Sequence, residues 1–330
     1  APAGVPRLAV PETAADPGDF VLHMPQDDEM AFVQFSSGTT GSPKGVPIQH
    51  GQLLQQLRLI TGHDGRDRND VGASWLPLYH DMGLVGGLLT PLWVGHDLHL
   101  WTPQRFLLDP VGWLETLAAH GVSVTALPNF GVAYLARRLH DDPPDFGGAN
   151  LQRLRRIYLG SDMLHPAPLR ALQQALAPAG LREEAFTPCY GMAEAVLMVT
   201  CAPGGAPRMA LDGSGRTVPA VGRLLPGFHA EVVDADGHPL AEGRTGEIRL
   251  AGGTLGTRYF EAPAPFVDER GFYATGDLGF LADGWLHVCG RLGDEVKVNG
   301  QRVSLPGLEQ ALQEHPSVWP GGAAVVDARS

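Results

Sequence analysis

Residues 31–45 read AFVQFSSGTTGSPKG, a short apolar run followed by glycines, serines and threonines and closed by a single lysine, Lys44. The run AFVQF predicts a buried strand. The stretch from His50 to about Leu59 is amphipathic and predicts a helix. The segment therefore predicts a strand, a flexible loop and a helix in succession, an arrangement in which backbone N–H groups can surround an anion.

The loop has the chemistry of a polyphosphate site. Its glycines let the backbone turn tightly and expose N–H groups, its hydroxyls add donors, and Lys44 adds a full positive charge. A Walker A loop is excluded, because the second glycine of that pattern would fall on Pro43. A Ser/Gly-rich surface linker is the alternative interpretation. The candidate phosphate-binding residues are Ser36, Ser37, Gly38, Thr39, Thr40, Gly41 and Lys44.

Only two of the 24 basic residues are lysines, Lys44 and Lys297, and all the others are arginines. A GC-rich genome explains this bias but not the positions of the two exceptions. Arginine presents a broad planar fork and lysine a compact point charge, so a site built for a small cation cannot accept the exchange. We therefore interpret both lysines as candidate functional cations.

The composition narrows the class of protein. The chain has 330 residues, of which 44% are hydrophobic and 18% charged, and this balance is typical of a globular protein with two or three structural units. A formal charge of -12 argues against a nucleic-acid partner. No apolar run reaches the roughly 18 residues that span a bilayer, and no signal peptide is recognisable, so we expect no membrane partner and a cytoplasmic location. The three cysteines lack metal-ligand spacing.

From Trp113 onward, helical and extended patterns alternate. WLETLAAHG, GVAYLARRL and PLRALQQALA have helical periodicity, whereas VSVTALPNF, RRIYLGS and EAFTPCYG are extended. This alternation predicts an α/β fold with a parallel sheet flanked by helices. After about Pro203 the pattern changes to short β-rich segments separated by turn residues. The predicted units are an α/β core over 1–205, incomplete at its N-terminus, a β-rich subdomain over 206–290, and a hinge with the start of a further domain over 291–330.

Three further motifs follow the loop in order: YGMAE at 190–194, YATGD at 273–277, and GR at 290–291 continued by KVNG at 297–300. Together with SSGTTGSPKG they resemble the acyl- and aminoacyl-adenylate-forming superfamily, which includes acyl-CoA ligases, luciferases and peptide-synthetase adenylation domains. The resemblance covers about residues 28–315. It implies the large-domain core of these enzymes, with parallel-rich sheets flanked by helices, a small β-rich subdomain, and a C-terminal lid that is absent or only begun.

The resemblance assigns roles in an attack of a carboxylate on the α-phosphorus of ATP. Mg²⁺ held by Glu194 would neutralise phosphate charge, and Lys44 would orient the leaving pyrophosphate. Asp277 would accept hydrogen bonds from the ribose, Arg291 would contact the ribose or the acyl-phosphate, and Asp294 lies in the hinge motif. Without the motif order, a single Glu or Asp is more often a cap or a solvated charge. Further nucleotide-binding candidates are Gly160, Ser161, Tyr190, Gly191, Met192 and Ala193.

The stretch SWLPLYHDMGL, residues 74–84, is similar to the fatty acyl-AMP ligases in particular, and so is PNF at 128–130. In the superfamily the histidine of this motif lies between the acyl carboxylate and the nucleotide, where an imidazole can donate a hydrogen bond to the reacting oxygens. An apolar, glycine-rich run is otherwise more often a packed helix than a ligand channel. The acyl-substrate candidates are His80, Asp81, Met82, Gly83, Asn129 and Phe130.

The predicted activity is that of an ATP- and Mg²⁺-dependent ligase that activates a fatty or related carboxylic acid as acyl-AMP and releases pyrophosphate. The predicted acceptor is a thiol, carried by an acyl carrier protein in preference to CoA. The connection between Thr200 and Gly222 is shorter than the insertion that fatty acyl-AMP ligases use against CoA, so the acceptor stays open.

Two alternatives remain. The first keeps the fold but changes the substrate to an amino acid or aryl acid. The second is a non-catalytic nucleotide- or adenylate-binding module, and it is favoured by the absence of any lysine after Lys297, where the family's lid supplies a catalytic one. The shortness of the chain relative to the family suggests an excised core.

Overall fold

A computed structural model describes residues 23–36, 43–141, 150–161, 163–205, 207–213, 215–293, 295–298 and 301–305, together with Leu308 and Leu312. The first two described strands of the chain pair with each other. Strand β1 (Met30–Ser36) pairs antiparallel with β2 (Lys44–Gln49), which places Ser36 opposite Lys44. The predicted order of strand, loop and helix was therefore incomplete, because a second strand precedes the helix.

Helix α1 (His50–Asp64) follows the hairpin directly, as the amphipathic pattern predicts. A reciprocal capping box between Gln49 and Gln52 satisfies backbone donors at its start. Gly65 ends the helix in the left-handed conformation, with φ of 62°. The hairpin packs through Val46 and Ile48 against a glycine-rich π-helical segment described below, so the phosphate-loop strands are anchored to the rest of the molecule.

The alternating pattern forms a parallel sheet, as predicted. Its strands are β3 (Val71–Ser74), β4 (Asp97–Leu100), β5 (Val124–Pro128), β6 (Arg156–Gly160) and β7 (Phe186–Gly191). The π-helical segment is Met82–Leu89, and the helices of this half are α2 (Thr90–Val94), α3 (Pro103–Leu108), α4 (Pro110–Ala119), α5 (Asn129–Asp141) and α6 (Pro166–Leu176). The core beneath these helices includes Trp75, which stacks on Phe106 with ring centroids 3.9 Å apart.

The second half is β-rich, as the pattern predicts, and its strands pair antiparallel. Its strands are β8 (Met198–Cys201), β9 (Met209–Leu211), β10 (Thr217–Leu224), β11 (Phe228–Val233), β12 (Gly246–Gly252), β13 (Tyr273–Ala282), β14 (Trp285–Arg291), β15 (Glu295–Val298) and β16 (Gln301–Ser304). The last two pair with each other on either side of the predicted Asn-Gly turn.

One continuous sheet joins both halves, apart from β15 and β16, which form a two-stranded sheet of their own, as do β1 and β2. Among the described strands its order is β11-β12-β13-β14-β10-β8-β7-β6-β5-β3-β4, with β9 paired to β10. The pairing changes from parallel to antiparallel at β7. Near the predicted boundary at residue 205, the strand pairing thus changes from parallel to antiparallel within the same sheet. The division of the chain into separate structural units stays a prediction. No described helix is long and apolar enough to cross a bilayer.

Candidate nucleotide and acid site

A cavity of about 1070 Å³ opens where the parallel strands β5, β6 and β7 end. Residues that follow these strands line it: Asn129 after β5, Ser161 after β6 and Glu194 after β7. Ligands of α/β sheets bind outside the carboxyl ends of the strands, so this edge is the expected place for a site. Lys44 and Asp277, from other elements, line the same cavity.

Lys44 begins β2 and its ammonium lies over the ring of Tyr259, 4.9 Å from the centroid. The aromatic face holds the cation without neutralising it, which leaves the charge available to an anion in the cavity. Ser36, across the hairpin, also lines the cavity and donates from its hydroxyl to the Lys44 carbonyl at 3.4 Å. The five loop candidates Ser37 to Gly41 lie outside the described residues.

Glu194 is buried and held by two tyrosines. The Tyr259 and Tyr273 hydroxyls donate to its Oε1 at 2.9 Å and 3.2 Å. Among the described residues Oε2 has no hydrogen-bond donor, so that oxygen is available to a ligand. Burial, reinforced by the Glu194 charge, raises the pKa of Tyr273, and burial raises that of Tyr259 to about 12, so both hydroxyls stay protonated donors.

Asp277 connects the β-rich half of the chain to the parallel strands. Its Oδ2 accepts from the Tyr190 hydroxyl at 2.6 Å, and its Oδ1 accepts from Arg291 Nε at 2.7 Å. Asp277 and Arg291 are direct cross-strand partners on β13 and β14, whereas Tyr190 is the next-to-last residue of β7. Burial, together with the Asp277 charge, raises the pKa of Tyr190. The carboxylate is thereby fixed at the cavity wall, with donors that a pair of ligand hydroxyls can replace.

Gly160 and Ser161 form the wall at the end of β6. Ser161 has a φ of 77°, a left-handed conformation that is uncommon for a residue with a side chain. Strain of this kind concentrates at binding sites, where it places a backbone group that a regular strand end would not. Both residues line the cavity beside Tyr190.

His80 stands at the mouth beside Asp81. Its Nδ1 lies 2.7 Å from Asp81 Oδ1, and the same carboxylate oxygen accepts the Met82 N–H at 2.6 Å. The Asp81 hydrogen bond raises the pKa of His80, and partial burial opposes that rise only in part. A proton on Nδ1 therefore faces Asp81, which leaves Nε2 to face a ligand.

An inner channel continues from this mouth along the sheet face. The residues that line it include Gly72, Val124, Ala126, Gly86 and Gly87. Gly87 must lack a side chain, because a Cβ there would lie 2.6 Å from Ser74 Oγ. The glycine-rich run is a packed helical segment whose Gly86 and Gly87 line the cavity, and its use as an acyl channel stays a prediction.

Gly83 and Gly191 require glycine for packing. A Cβ on Gly83 would lie 2.3 Å from the Pro77 carbonyl oxygen, and Gly83 does not line the cavity, unlike its motif neighbours His80, Asp81 and Met82. A Cβ on Gly191 would lie 1.6 Å from the Leu197 carbonyl oxygen. The backbone of the YGMAE motif therefore turns back on itself at its glycine.

We expect Gly191→Ala to lower the free energy of unfolding by about 1–3 kcal/mol, because the strand must shift to relieve the overlap. Urea unfolding followed by circular dichroism measures this. Gly62→Ala is the matched control: nothing lies within 4 Å of a Cβ there, and it sits in helix α1. This control should be neutral or stabilising by up to about 1 kcal/mol. Equal stabilities of the two variants would contradict the packing argument.

The structure brings most of the sequence-predicted residues to one cavity, although their roles stay proposals. Outside the described residues lie Ser37, Gly38, Thr39, Thr40, Gly41 and Asp294. Predicted residues that line the cavity are Ser36, Lys44, His80, Asp81, Met82, Asn129, Phe130, Gly160, Ser161, Tyr190, Gly191, Met192, Ala193, Glu194, Asp277 and Arg291.

Sequence reasoning missed Tyr259, Arg66 and Tyr158, which also line the cavity. Tyr259 lies in a loop between β12 and β13, and its hydrogen bond to Glu194 spans 65 positions of the chain. The neighbouring residues Arg258 and Phe260 gave no periodic signal for a site. Arg66 belongs to a charged turn that is indistinguishable in sequence from a solvated loop.

The chain is similar to known proteins. A Mycobacterium tuberculosis protein named as a ligase, Rv1013, is 35% identical over 323 residues, covering 91% of this chain and 59% of that protein. The medium-chain fatty acid–acyl carrier protein ligase TtuA of Teredinibacter turnerae is 30% identical, covering 87% of this chain and 50% of the relative. The chain thus spans between half and three fifths of the length of these relatives.

A solved structure from work on the fatty acyl-adenylate ligases of E. coli and L. pneumophila superposes with a TM-score of 0.83 and 29% identity, covering 91% of this chain and 58% of the other. Residues 5–260 match the family described as AMP-binding enzyme. This match covers well over half of the chain and includes the hairpin, the parallel strands and Glu194. The chain belongs to the AMP-binding enzyme family.

Proposed function

We propose that the protein to which this chain belongs activates a fatty or related carboxylic acid with ATP, forming acyl-AMP and pyrophosphate. The main observation behind this proposal is that Lys44, Glu194 and Asp277 line one cavity. They are a cation for the triphosphate, a carboxylate for its metal and a carboxylate for the ribose. The similarity to acyl-adenylate ligases supports the same reaction. A scaffold without catalytic use has no reason to keep buried carboxylates at a cavity wall, because burying a charge is costly even when it is hydrogen-bonded.

The chemistry brings two anions together, so the site must hold them and offset their charge. The Lys44 ammonium attracts the phosphates and favours departure of pyrophosphate, and Asp277 orients the ribose once its hydroxyls replace Tyr190 or Arg291. Arg291, half exposed beside Asp277, then faces the new acyl-phosphate. Each residue positions or stabilises, and the acid itself is the nucleophile.

Mg²⁺ fits the donor set that the structure presents. The ion takes one or two protein carboxylates and completes its shell with phosphates and water. Glu194 offers a buried carboxylate in which both tyrosines donate to Oε1, and no described residue donates to Oε2. When bound, the ion would neutralise phosphate charge. Tyr259 and Tyr273 fix the carboxylate in place, which is the function of a supporting hydrogen bond at a metal site.

For the acceptor we propose a phosphopantetheine thiol on a carrier protein in preference to CoA. The similarity to the TtuA ligase supports this choice, since that relative is named for an acyl carrier protein. Thioester formation with purified carrier protein, compared with free CoA at equal thiol concentration, tests it. More product with CoA would reverse the choice and leave the activation step intact.

ATP–pyrophosphate exchange measured against a panel of aliphatic, aryl and amino acids tests the activation itself. The expected result is exchange with aliphatic acids that depends on chain length. Exchange with amino acids or aryl acids alone would move the substrate to those classes. ATP binding by calorimetry together with no exchange for any acid would instead favour the non-catalytic binding module.

The pH dependence of acid activation should report the His80–Asp81 pair. Because the folded pKa of His80 is raised, its protonated form, which attracts the acid carboxylate, persists below that pKa and is lost as pH rises through it. The wild-type kcat/KM should therefore fall at a pH above about 6.5, the ordinary value for histidine. Asp81→Asn keeps an acceptor for the Met82 N–H and should move this fall to lower pH. If kcat/KM of Asp81→Asn falls at the same pH as that of the wild type, the proposed role of the His80–Asp81 pair is wrong.

A further inference from the structure

The inner channel runs from one edge of the parallel sheet toward the other. Asn129 marks the carboxyl edge, whereas Val124 begins β5 at the amino edge, and both line the cavity. Gly72 pairs with Val124, and Ala126 pairs with Tyr158, so these residues share the sheet face that the channel follows. The five residue steps from Val124 to Asn129 correspond to about 17 Å.

The far end of this channel is polar. Arg66 and Tyr158 line the cavity there, and both are more than nine-tenths buried. Asp64 Oδ2 accepts from Arg66 Nε at 2.7 Å and from the Tyr158 hydroxyl at 2.7 Å, and Arg66 Nη2 lies 2.6 Å from it. Arg155, immediately before β6, donates to the Asp64 carbonyl at 2.8 Å, which places this cluster at the amino edge of the sheet.

Arg66 keeps donor capacity for a ligand. Asp64 engages Nε and Nη2, and among the described residues Nη1 has no acceptor with hydrogen-bond geometry. A guanidinium nitrogen at a cavity wall can donate to a ligand or to water, and a charged donor gives one of the stronger hydrogen bonds. Since Arg66 lines the cavity, the far end of an acid in the channel can supply that acceptor.

The charges at this end select the kind of acceptor. Asp64 balances Arg66, and the adjacent Asp70 is paired with Arg155 at 2.6 Å, so the cluster is neutral as a whole. A second carboxylate on the substrate would add an unbalanced buried charge, which is strongly unfavourable. A neutral oxygen, either a hydroxyl or a carbonyl, can accept from Nη1 without that penalty.

A second buried polar atom lies beside the same end. The His96 ring donates from Nδ1 to the Asp97 carbonyl at 2.9 Å, so neutral His96 presents Nε2 as an acceptor, and this atom has no partner among the described residues. The ring contacts Gly72: its Cε1 would lie 2.8 Å from a Cβ there. His96 does not itself line the cavity, so recognition of a terminal oxygen rests with Arg66.

We infer that the channel selects carboxylic acids whose far end carries a neutral oxygen, and that Arg66 is the residue that recognises it. The inference rests on the proposed acid activation and names its substrate class. With C–C bonds of about 1.5 Å in a zigzag, a channel of about 17 Å accommodates roughly a dozen carbons. The substrate expected from this geometry is a medium-length ω-hydroxy or ω-oxo acid.

The test compares, in ATP–pyrophosphate exchange, unsubstituted acids with their ω-hydroxy, ω-oxo and ω-carboxy analogues at equal length, in a series centred on about twelve carbons. For the wild type we expect the ω-hydroxy and ω-oxo acids to exceed the unsubstituted acid in kcat/KM by about tenfold, the effect of one hydrogen bond to a charged donor, and the diacid to be poorest. Equal or better activation of the unsubstituted acid at its best length would overturn the inference while leaving acid activation standing. The absence of ATP–pyrophosphate exchange with every acid would instead reject the proposed function.

Arg66→Lys tests the residue. Lysine keeps the charge opposite Asp64 but lacks the second guanidinium nitrogen, so the tenfold preference should fall toward one while activity on the unsubstituted acid persists. Arg155→Lys is the matched control, since Arg155 forms the same kind of pair at the same edge without lining the cavity, and it should keep the preference. If Arg66→Lys keeps the preference for ω-hydroxy and ω-oxo acids, a residue other than Arg66 recognises the terminal oxygen. Thermal melting shows whether Arg66→Lys is folded. If it is not, the comparison of acids with the wild-type protein tests the inference.

Discussion

Replacing Glu194 with glutamine should lower ATP–pyrophosphate exchange by about 10²–10³-fold, because an amide is a poor ligand for Mg²⁺ and the phosphate charge is then less well offset. The substitution conserves shape and keeps an oxygen for the Tyr259 and Tyr273 hydroxyls, so the fold should be retained. Exchange rates measured over a range of Mg²⁺ concentrations report the loss, which excess Mg²⁺ should only partly restore.

Tyr259→Phe provides a graded comparison. It removes one of the two donors to Glu194 Oε1 but leaves the carboxylate, so it should raise the Mg²⁺ concentration needed for half-maximal ATP binding while reducing exchange less than Glu194→Gln. Calorimetry of ATP with and without Mg²⁺ separates this effect from catalysis. If Glu194→Gln exchanges at the wild-type rate with an unaltered Mg²⁺ requirement, Glu194 does not hold the metal.

Lys44→Ala should weaken ATP binding by about 10- to 100-fold, the loss expected when a charged donor to a phosphate is removed. Lys44 lies at the cavity wall over the Tyr259 ring, with a cation that no described carboxylate neutralises. Titration calorimetry with ATP and with AMP distinguishes the cause: AMP, which lacks the β- and γ-phosphates, should lose much less affinity than ATP.

Two controls sharpen this experiment. Lys44→Arg keeps the charge but exchanges a compact ammonium for a planar fork, so partial recovery of ATP affinity is expected. Arg170→Ala removes the same charge from the exposed face of α6, away from the cavity, and should leave binding unchanged. An equal loss for Arg170→Ala and Lys44→Ala would mean that overall charge, and not the phosphate site, controls affinity.

Local patterns predicted much of this architecture. The alternation after Trp113 produced strands β5, β6 and β7 with helices between them, because burial of one helix face or of a whole parallel strand leaves a periodic signal in the residues themselves. Strand β2 gave no such signal. It carries Gly45 and Pro47, residues that weaken a strand prediction and that an edge hairpin tolerates.

The order of motifs could indicate a nucleotide site, but not how its groups contact one another. Lys44, Glu194 and Asp277 come from three elements far apart in the chain, and each is ambiguous alone. The continuity of the sheet through β8 and β10 carries Asp277 to the end of β7, where Tyr190 bonds it. The pattern of apolar residues indicates which face of a helix or strand is buried, but it does not indicate which other element that face packs against.

Residue chemistry and motif order in the chain were thus sufficient for the α/β class, for the family resemblance and for the principal polar candidates, since propensity and periodicity act over a few residues. Tyr259 beside Glu194, the glycine turn at Gly191, and the Arg66–Asp64–Tyr158 end of the inner channel became visible only once the sheet was assembled. These features depend on contacts between segments tens of residues apart, and distance in space between such segments is set by packing of the whole core.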